Sequence, residues 1–216
     1  MSQNRTIVHL VRHGEVENPA GLLYGRLPDY HLSELGREMA ERVAEHLRER
    51  DVVHLVSSPL ERAQETAAPL AETLGLPVVI DERVIEAANY FEGLRVSFDG
   101  ALRHPKNWLY FRNPFKPSWG EAYTEILTRV RPAMKEAADA ALGHEAVIVT
   151  HQLPIWVART NAEGRRMIHD PRKRQCTLGS VTSFSYIDAR VTSVSYLEPA
   201  AELLRPHQTK KFVAGA

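Results

Sequence analysis

The sequence predicts an α/β fold: a three-layer sandwich with a mostly parallel central sheet, helices on both faces and an insertion over the C-terminal ends of the strands. Three short apolar runs, at 7–11, 52–57 and 146–149, read as strands buried on both faces. The segments between them carry apolar residues at helical spacing, which supplies the covering helices. No repeat or linker divides the 216 residues, so a single domain over 1–216 is expected.

The first strand breaks abruptly into Arg12-His13-Gly14-Glu15. A glycine there lets backbone approach a ligand, an arginine forks onto oxyanions, and a histidine can be nucleophile, acid or base. A loop follows to His31, punctuated by Pro19, Gly21, Gly25 and Pro28, and it carries Asn18, Tyr24 and Arg26. Leu32, Leu35, Met39, Val43 and Leu47 then recur at helical spacing behind Ser33 as N-cap, with an end near Arg50.

After strand 52–57, Ser58-Pro59-Leu60-Glu61 reads as a capping box with proline at the first helical position. Arg62 then falls in the first helical turn, where free N–H groups and the helix dipole favour an anion. Gly75 closes this helix, and 78–80 reads as a short strand. Residues 86–120, with Trp108, Phe111, Phe115 and Trp119, read as a crossover insertion or lid; a surface subdomain with its own small core fits them equally. Residues 119–142 are helical by pattern and end at Gly143, with Pro132 predicting a kink or a break.

The third strand ends in Thr150-His151, and a helix over 154–161 follows. The basic loop 165–174 reads as solvated, or else as a rim contacting an anionic substrate. Strands 180–187 and 191–197 alternate in polarity and form an edge hairpin, and the tail from Ala200 reads as frayed.

Basic and acidic residues balance at 27 each, which gives no reason to expect nucleic acid or an anionic membrane as partner. The lone cysteine, Cys176, reads as a buried, inert thiol. No apolar run reaches membrane-spanning length and no signal-type segment opens the chain, so a cytoplasmic protein is expected, of unassigned oligomeric state.

A parallel sheet would gather Arg12, His13, Arg62 and His151 at one edge, where such sheets bind ligands. Two arginines and two histidines without a metal-ligand pattern, a Walker loop or a dinucleotide fingerprint describe a pocket for a phosphoryl group. Arg12 and Arg62 would stabilise the equatorial oxygens, a neutral His13 would attack, and His151 would bond to the phosphoryl oxygens. A carboxylic acid is still needed for the leaving oxygen.

These residues resemble the histidine phosphatase superfamily, also called phosphoglycerate-mutase-like, and within it the small phosphatases. Val11-Arg12-His13-Gly14-Glu15 resembles its defining motif, the segment 57–67 its second, and Val149-Thr150-His151 its third; Trp119-Gly120-Glu121 is similar to a Gly-Glu-Ser segment found there. The resemblance implies a phosphohistidine on His13, a phosphate pocket of Arg12, Arg62 and His151, and a glutamate acid that aligns with Glu86, with Glu82 and Glu92 as alternatives. Asn18 lies six residues after Arg12 where the family's asparagine lies seven after it. Gln152, in place of a small residue, either reaches the pocket or shapes it. The expected activity is a metal-independent phosphatase without cofactor, acting on a small phosphorylated substrate. A phosphoglycerate-type mutase and a non-catalytic phosphate-binding module are the alternatives.

Overall fold

The computed structural model describes residues 5–95, 120–167 and 173–204. Strands β1 (Thr6–Arg12), β2 (Val52–Ser57), β3 (Val78–Ile80), β4 (Glu145–Thr150), β5 (Val181–Ile187) and β6 (Arg190–Leu197) form one sheet in the order β3-β2-β4-β1-β5-β6. The first four of that order run parallel, β5 lies antiparallel to β1, and β6 is the outer antiparallel strand.

Successive strand residues point to opposite faces, so each apolar run feeds two cores. Val8, Leu10, Ile148 and Phe184 pack with Ile126 and Val130 of α3 (Tyr123–Ala140) and Ile155 of α4 (Gln152–Ala162). Val11, Leu55, Val147 and Val149 pack with Val43 and Leu47 of α1 (Glu34–Leu47) and with Ala63 and Leu70 of α2 (Glu61–Leu74). Each buried valine, leucine, isoleucine or phenylalanine among them contributes about 1.5–3 kcal/mol relative to exposure. The three-layer α/β architecture is therefore as expected. Most of the anticipated insertion, residues 96–119, lies outside the described residues, as does 168–172 of the basic loop.

Ser33 caps α1 by accepting from the Gly36 N–H, and Gly75 closes α2 with φ of 66°. Five local expectations need correction. The capping box at Ser58 does not form: α2 begins at Glu61 behind an extended Leu60, because the Ser58 hydroxyl lies 2.7 Å from His151 Nε2 and only 3.4 Å from the Leu60 N–H. Next, α3 starts at Tyr123 rather than near 119, and it is not broken at Pro132. Its buried stripe of Ile126, Val130, Ala133 and Met134 holds both sides of the proline to the sheet, which outweighs the lost hydrogen bond. Helix α4 starts at Gln152, so Pro154 sits in the first turn, where backbone N–H groups lack helical partners anyway. The hairpin turns on two residues, Asp188 and Ala189, not on three. Finally, Ala200 is buried against Met39 and Leu178, and a 3-10 turn at Ala201–Leu203 continues the packed chain.

Candidate active site

Parallel pairing of β1, β2 and β4 brings their C-terminal ends to one edge of the sheet. Arg12 and His13 leave β1 there, Arg62 lies in the first turn of α2 beyond β2, and His151 follows β4. His13, Arg62 and His151 are completely buried and Arg12 is 3% exposed. The rings of His13 and His151 stand 5.2 Å apart between centroids.

His13 Nδ1 lies 2.7 Å from the carbonyl oxygen of its neighbour Gly14. A carbonyl only accepts, so Nδ1 carries the proton and Nε2 keeps a lone pair. Burial, then Arg62 and Arg12, hold the ring well below the usual histidine range, and so neutral. Gly14 also serves packing, a role the sequence reading did not include. A Cβ there would overlap the Gly36 carbonyl, and one on Gly36 would overlap that of Glu15. The turn after β1 thus lies backbone to backbone against the start of α1.

Each arginine spends one nitrogen on the protein: Arg12 Nη1 donates to the Cys176 carbonyl and Arg62 Nη2 to the Gly25 carbonyl, both at 2.5 Å. The Arg62 guanidinium also lies 4.8 Å from the Tyr24 ring centroid, and Tyr24 stacks on Tyr30 at 5.0 Å. Arg12 Nε and Nη2, Arg62 Nε and Nη1, His13 Nε2 and His151 Nδ1 are buried and hydrogen-bond to no described residue. Unpaired buried donors are costly in a folded protein, and a cluster of them describes an oxyanion cradle. Cys176 is buried, its thiol pushed up by that burial, as expected of an inert group.

His151 is oriented by Ser58. When the Ser58 hydroxyl accepts from the Leu60 N–H and donates to His151 Nε2, the remaining Nδ1 carries the proton and offers it as a donor. Burial, followed by Arg62, His13 and Arg12, lowers this histidine as well.

Of the three candidate glutamates, Glu86 joins the cluster. It is 3% exposed; Oε1 accepts from the Ala87 N–H at 2.8 Å, and Oε2 has no described partner. Burial raises its pKa above the usual carboxylate range, against the opposing pull of Arg62, Arg12 and Arg174. Its backbone is held by Arg129 of α3, which donates to the carbonyls of Arg83 and Ile85 at 2.7 Å and of Glu86 at 3.3 Å. Arg26 donates to the same Glu86 carbonyl at 2.7 Å. Glu121 ties Arg26 and Arg129 together; burial would raise its carboxyl, but Arg129 and Arg26 hold it below the ordinary range. The glutamate of the Gly120-Glu121 segment therefore braces the loop that carries Glu86. Glu82 is exposed on the 3-10 turn Glu82–Val84, and Glu92 accepts from the Asn89 N–H beside Gly25.

Asn18 uses its amide within the loop, donating to the Leu22 carbonyl at 2.8 Å and accepting from the Leu22 N–H at 3.0 Å. Gln152 is buried at the first position of α4, and its Oε1 accepts from Arg174 Nη1 at 3.2 Å. Arg129 was not singled out by sequence reasoning; Tyr24 was noted only as a member of the loop after β1, Ser58 only as a helix cap and part of the second motif, and Arg174 only as a member of the basic segment. Among the described residues, no three His, Cys, Asp or Glu side chains form a metal-binding group, and no helix is long and apolar enough to cross a membrane.

Comparison with known proteins gives the same picture. The family model of the histidine phosphatase superfamily (branch 1) matches residues 8–198. The chain is 53% identical over 197 residues to Uncharacterized protein Rv0525 of Mycobacterium tuberculosis, covering 91% of this chain and 98% of that one. It is 31% identical over 151 residues to Phosphoserine phosphatase 1 of Hydrogenobacter thermophilus, covering 68% of this chain and 71% of that one. Among solved structures it resembles the mycobacterial glucosyl-3-phosphoglycerate phosphatase Rv2419c, with a TM-score of 0.70 at 26% identity over 89% of this chain and 96% of that chain.

Proposed function

The chain belongs to the histidine phosphatase superfamily, and from that premise we propose that it is a metal-independent phosphomonoesterase working through a phosphohistidine on His13. The observation that carries this reading is that Arg12, Arg62 and His151 come to the same sheet edge as His13 with buried nitrogens that hydrogen-bond to no described residue, the rings of His13 and His151 being 5.2 Å apart. They match the three equatorial oxygens of a phosphoryl group in flight. The similarity to proteins named as phosphatases supports the same reaction type.

In the first step the lone pair on His13 Nε2 forms the N–P bond as the P–O bond to the alcohol breaks. Glu86, whose carboxyl burial pushes toward the protonated form, gives a proton to the departing oxygen. In the second step Glu86, now a carboxylate, takes a proton from water as that water attacks phosphorus and frees His13, releasing inorganic phosphate. Arg12 and Arg62 hold the developing charge throughout, and His151 donates from Nδ1.

Phosphate release from an aryl phosphate in excess EDTA, wild type beside His13→Ala, tests the reading. Turnover in the wild type and background rates in the variant support it. Comparable turnover in both overturns it, and phosphate retained on a transferred product would assign the mutase reaction instead.

A further inference from the structure

Helices α3 and α4 cover one face of the sheet together. Between them, β5 and the β5–β6 turn lies a groove of about 700 Å³. Its floor is Leu127 and Met134 of α3, Ala158 of α4, Phe184 of β5 and Val191 of β6. The groove is remote from the candidate active site. Tyr186 on its wall pairs with Thr6, the first residue of β1, whereas His13 follows the last, about 20 Å along the strand.

The charge of the lining has one sign. Arg131, Lys135 and Arg190 line the groove, and among the described residues no carboxylate does. Lys135 is answered by Asp139 at 2.5 Å. Arg131 and Arg190 form no ion pair or hydrogen bond with a described residue. Tyr186 is 9% exposed, and its hydroxyl also has no described partner. Burial pushes that hydroxyl up to about 12, against the pull of Arg131, so it stays a neutral donor.

Charge and shape together select the occupant. Two unanswered guanidinium groups and a phenolic donor call for an anion, and a carboxylate offers two oxygens to a planar fork. The floor is aliphatic above a fully buried Phe184, and the Met134 side chain adapts to an irregular ligand. Such a floor suits a flexible alkyl chain better than a rigid ring. The volume falls within the roughly 300–1,000 Å³ of small-molecule sites.

We infer that this groove is a second ligand site, which takes an aliphatic carboxylate. The chain lies on the floor, and the head group accepts from Arg131, Arg190 and the Tyr186 hydroxyl. The site is independent of the phosphatase reading.

The test is an NMR titration of the isotope-labelled full chain with octanoate, 1-octanol and hexanoate. Octanoate should shift the amides of Ala162 and Val191 and bind about 5-fold tighter than octanol, the range of two exposed ion pairs together. Hexanoate should bind more weakly, by up to about 4-fold for each methylene lost. The double variant Arg131→Gln, Arg190→Gln should erase the preference for octanoate and leave octanol unchanged. Ala162→Trp, which fills the groove from an exposed position, should abolish binding of both; unchanged thermal melts show that these surface variants fold. Equal binding of octanoate and octanol in the wild type overturns the site, as does octanoate binding that survives Ala162→Trp. Displacement of octanoate by inorganic phosphate would move it to the strand-end pocket and overturn the site too. A dimer in sedimentation that Ala162→Trp dissociates would assign the groove to a second copy of the chain instead.

Discussion

His151 Nε2 and Ser58 Oγ stand 2.7 Å apart, both fully buried, across 93 residues of sequence. When the hydroxyl donates to Nε2, the ring keeps its proton on Nδ1 and can donate it to a phosphoryl oxygen. Ser58→Ala frees the ring to adopt the other tautomer. We expect kcat/KM on an aryl phosphate to fall about 10- to 100-fold, equivalent to one or two charged hydrogen bonds in the transition state. Ser58→Thr, which keeps the hydroxyl, should recover most of the loss. Unchanged kinetics in Ser58→Ala would remove this role.

Arg129 makes a second prediction, because it holds the backbone around Glu86 without being placed to touch the phosphoryl group. Arg129→Met should loosen the acid and lower kcat about 10-fold on alkyl phosphates, whose leaving oxygens need a proton. Aryl phosphates, which leave without help, should be nearly unaffected. Equal losses on both classes would place the effect elsewhere.

The alternation of strands and helices, and the turn residues between them, made the architecture legible before any coordinates. The gathering of the candidate quartet was legible for the same reason: Arg12, His13, Arg62 and His151 interrupt apolar strands or open the helices after them, where packing gives no reason for such side chains. What stayed hidden are contacts between distant segments. Nothing local in the sequence says that Ser58 turns to His151 instead of capping α2, or that Arg129 of a surface-patterned helix reaches over to Glu86. Gly14 is a subtler case. Its lack of a side chain was noticed, but its close packing against Gly36 of α1 was not legible locally.

Stability should depend on pH through the two buried histidines. Their folded pKa values lie well below the ordinary 6.5. Below about pH 6.5 the unfolded chain gains protons that the folded site refuses, so stability is full above that pH and is lost as pH falls toward the folded values. Each group contributes a slope of about 1.4 kcal/mol per pH unit in that window. Denaturant melts of wild type and His13→Asn between pH 7 and 5 measure it, and the variant should show the shallower loss. Parallel curves would contradict the buried, neutral assignment.

The hairpin between β5 and β6 turns on Asp188 and Ala189, with φ of 50° and 60°. Both are left-handed, and alanine tolerates that region poorly. Ala189→Gly should stabilise the protein by up to about 1 kcal/mol, or about 2–4 °C in Tm for a chain of this size. Thermal melts check it, and a lower Tm would show that the turn is held by contacts other than its backbone preference.

The central claim is that His13 Nε2 becomes phosphorylated. Rapid alkaline quench during turnover of an aryl phosphate, followed by peptide mapping, tests it most directly. The account predicts one alkali-stable, acid-labile phosphoryl group on the peptide holding His13, absent from His13→Ala. Full turnover with no adduct at any quench time, or an adduct on a different residue, would contradict it.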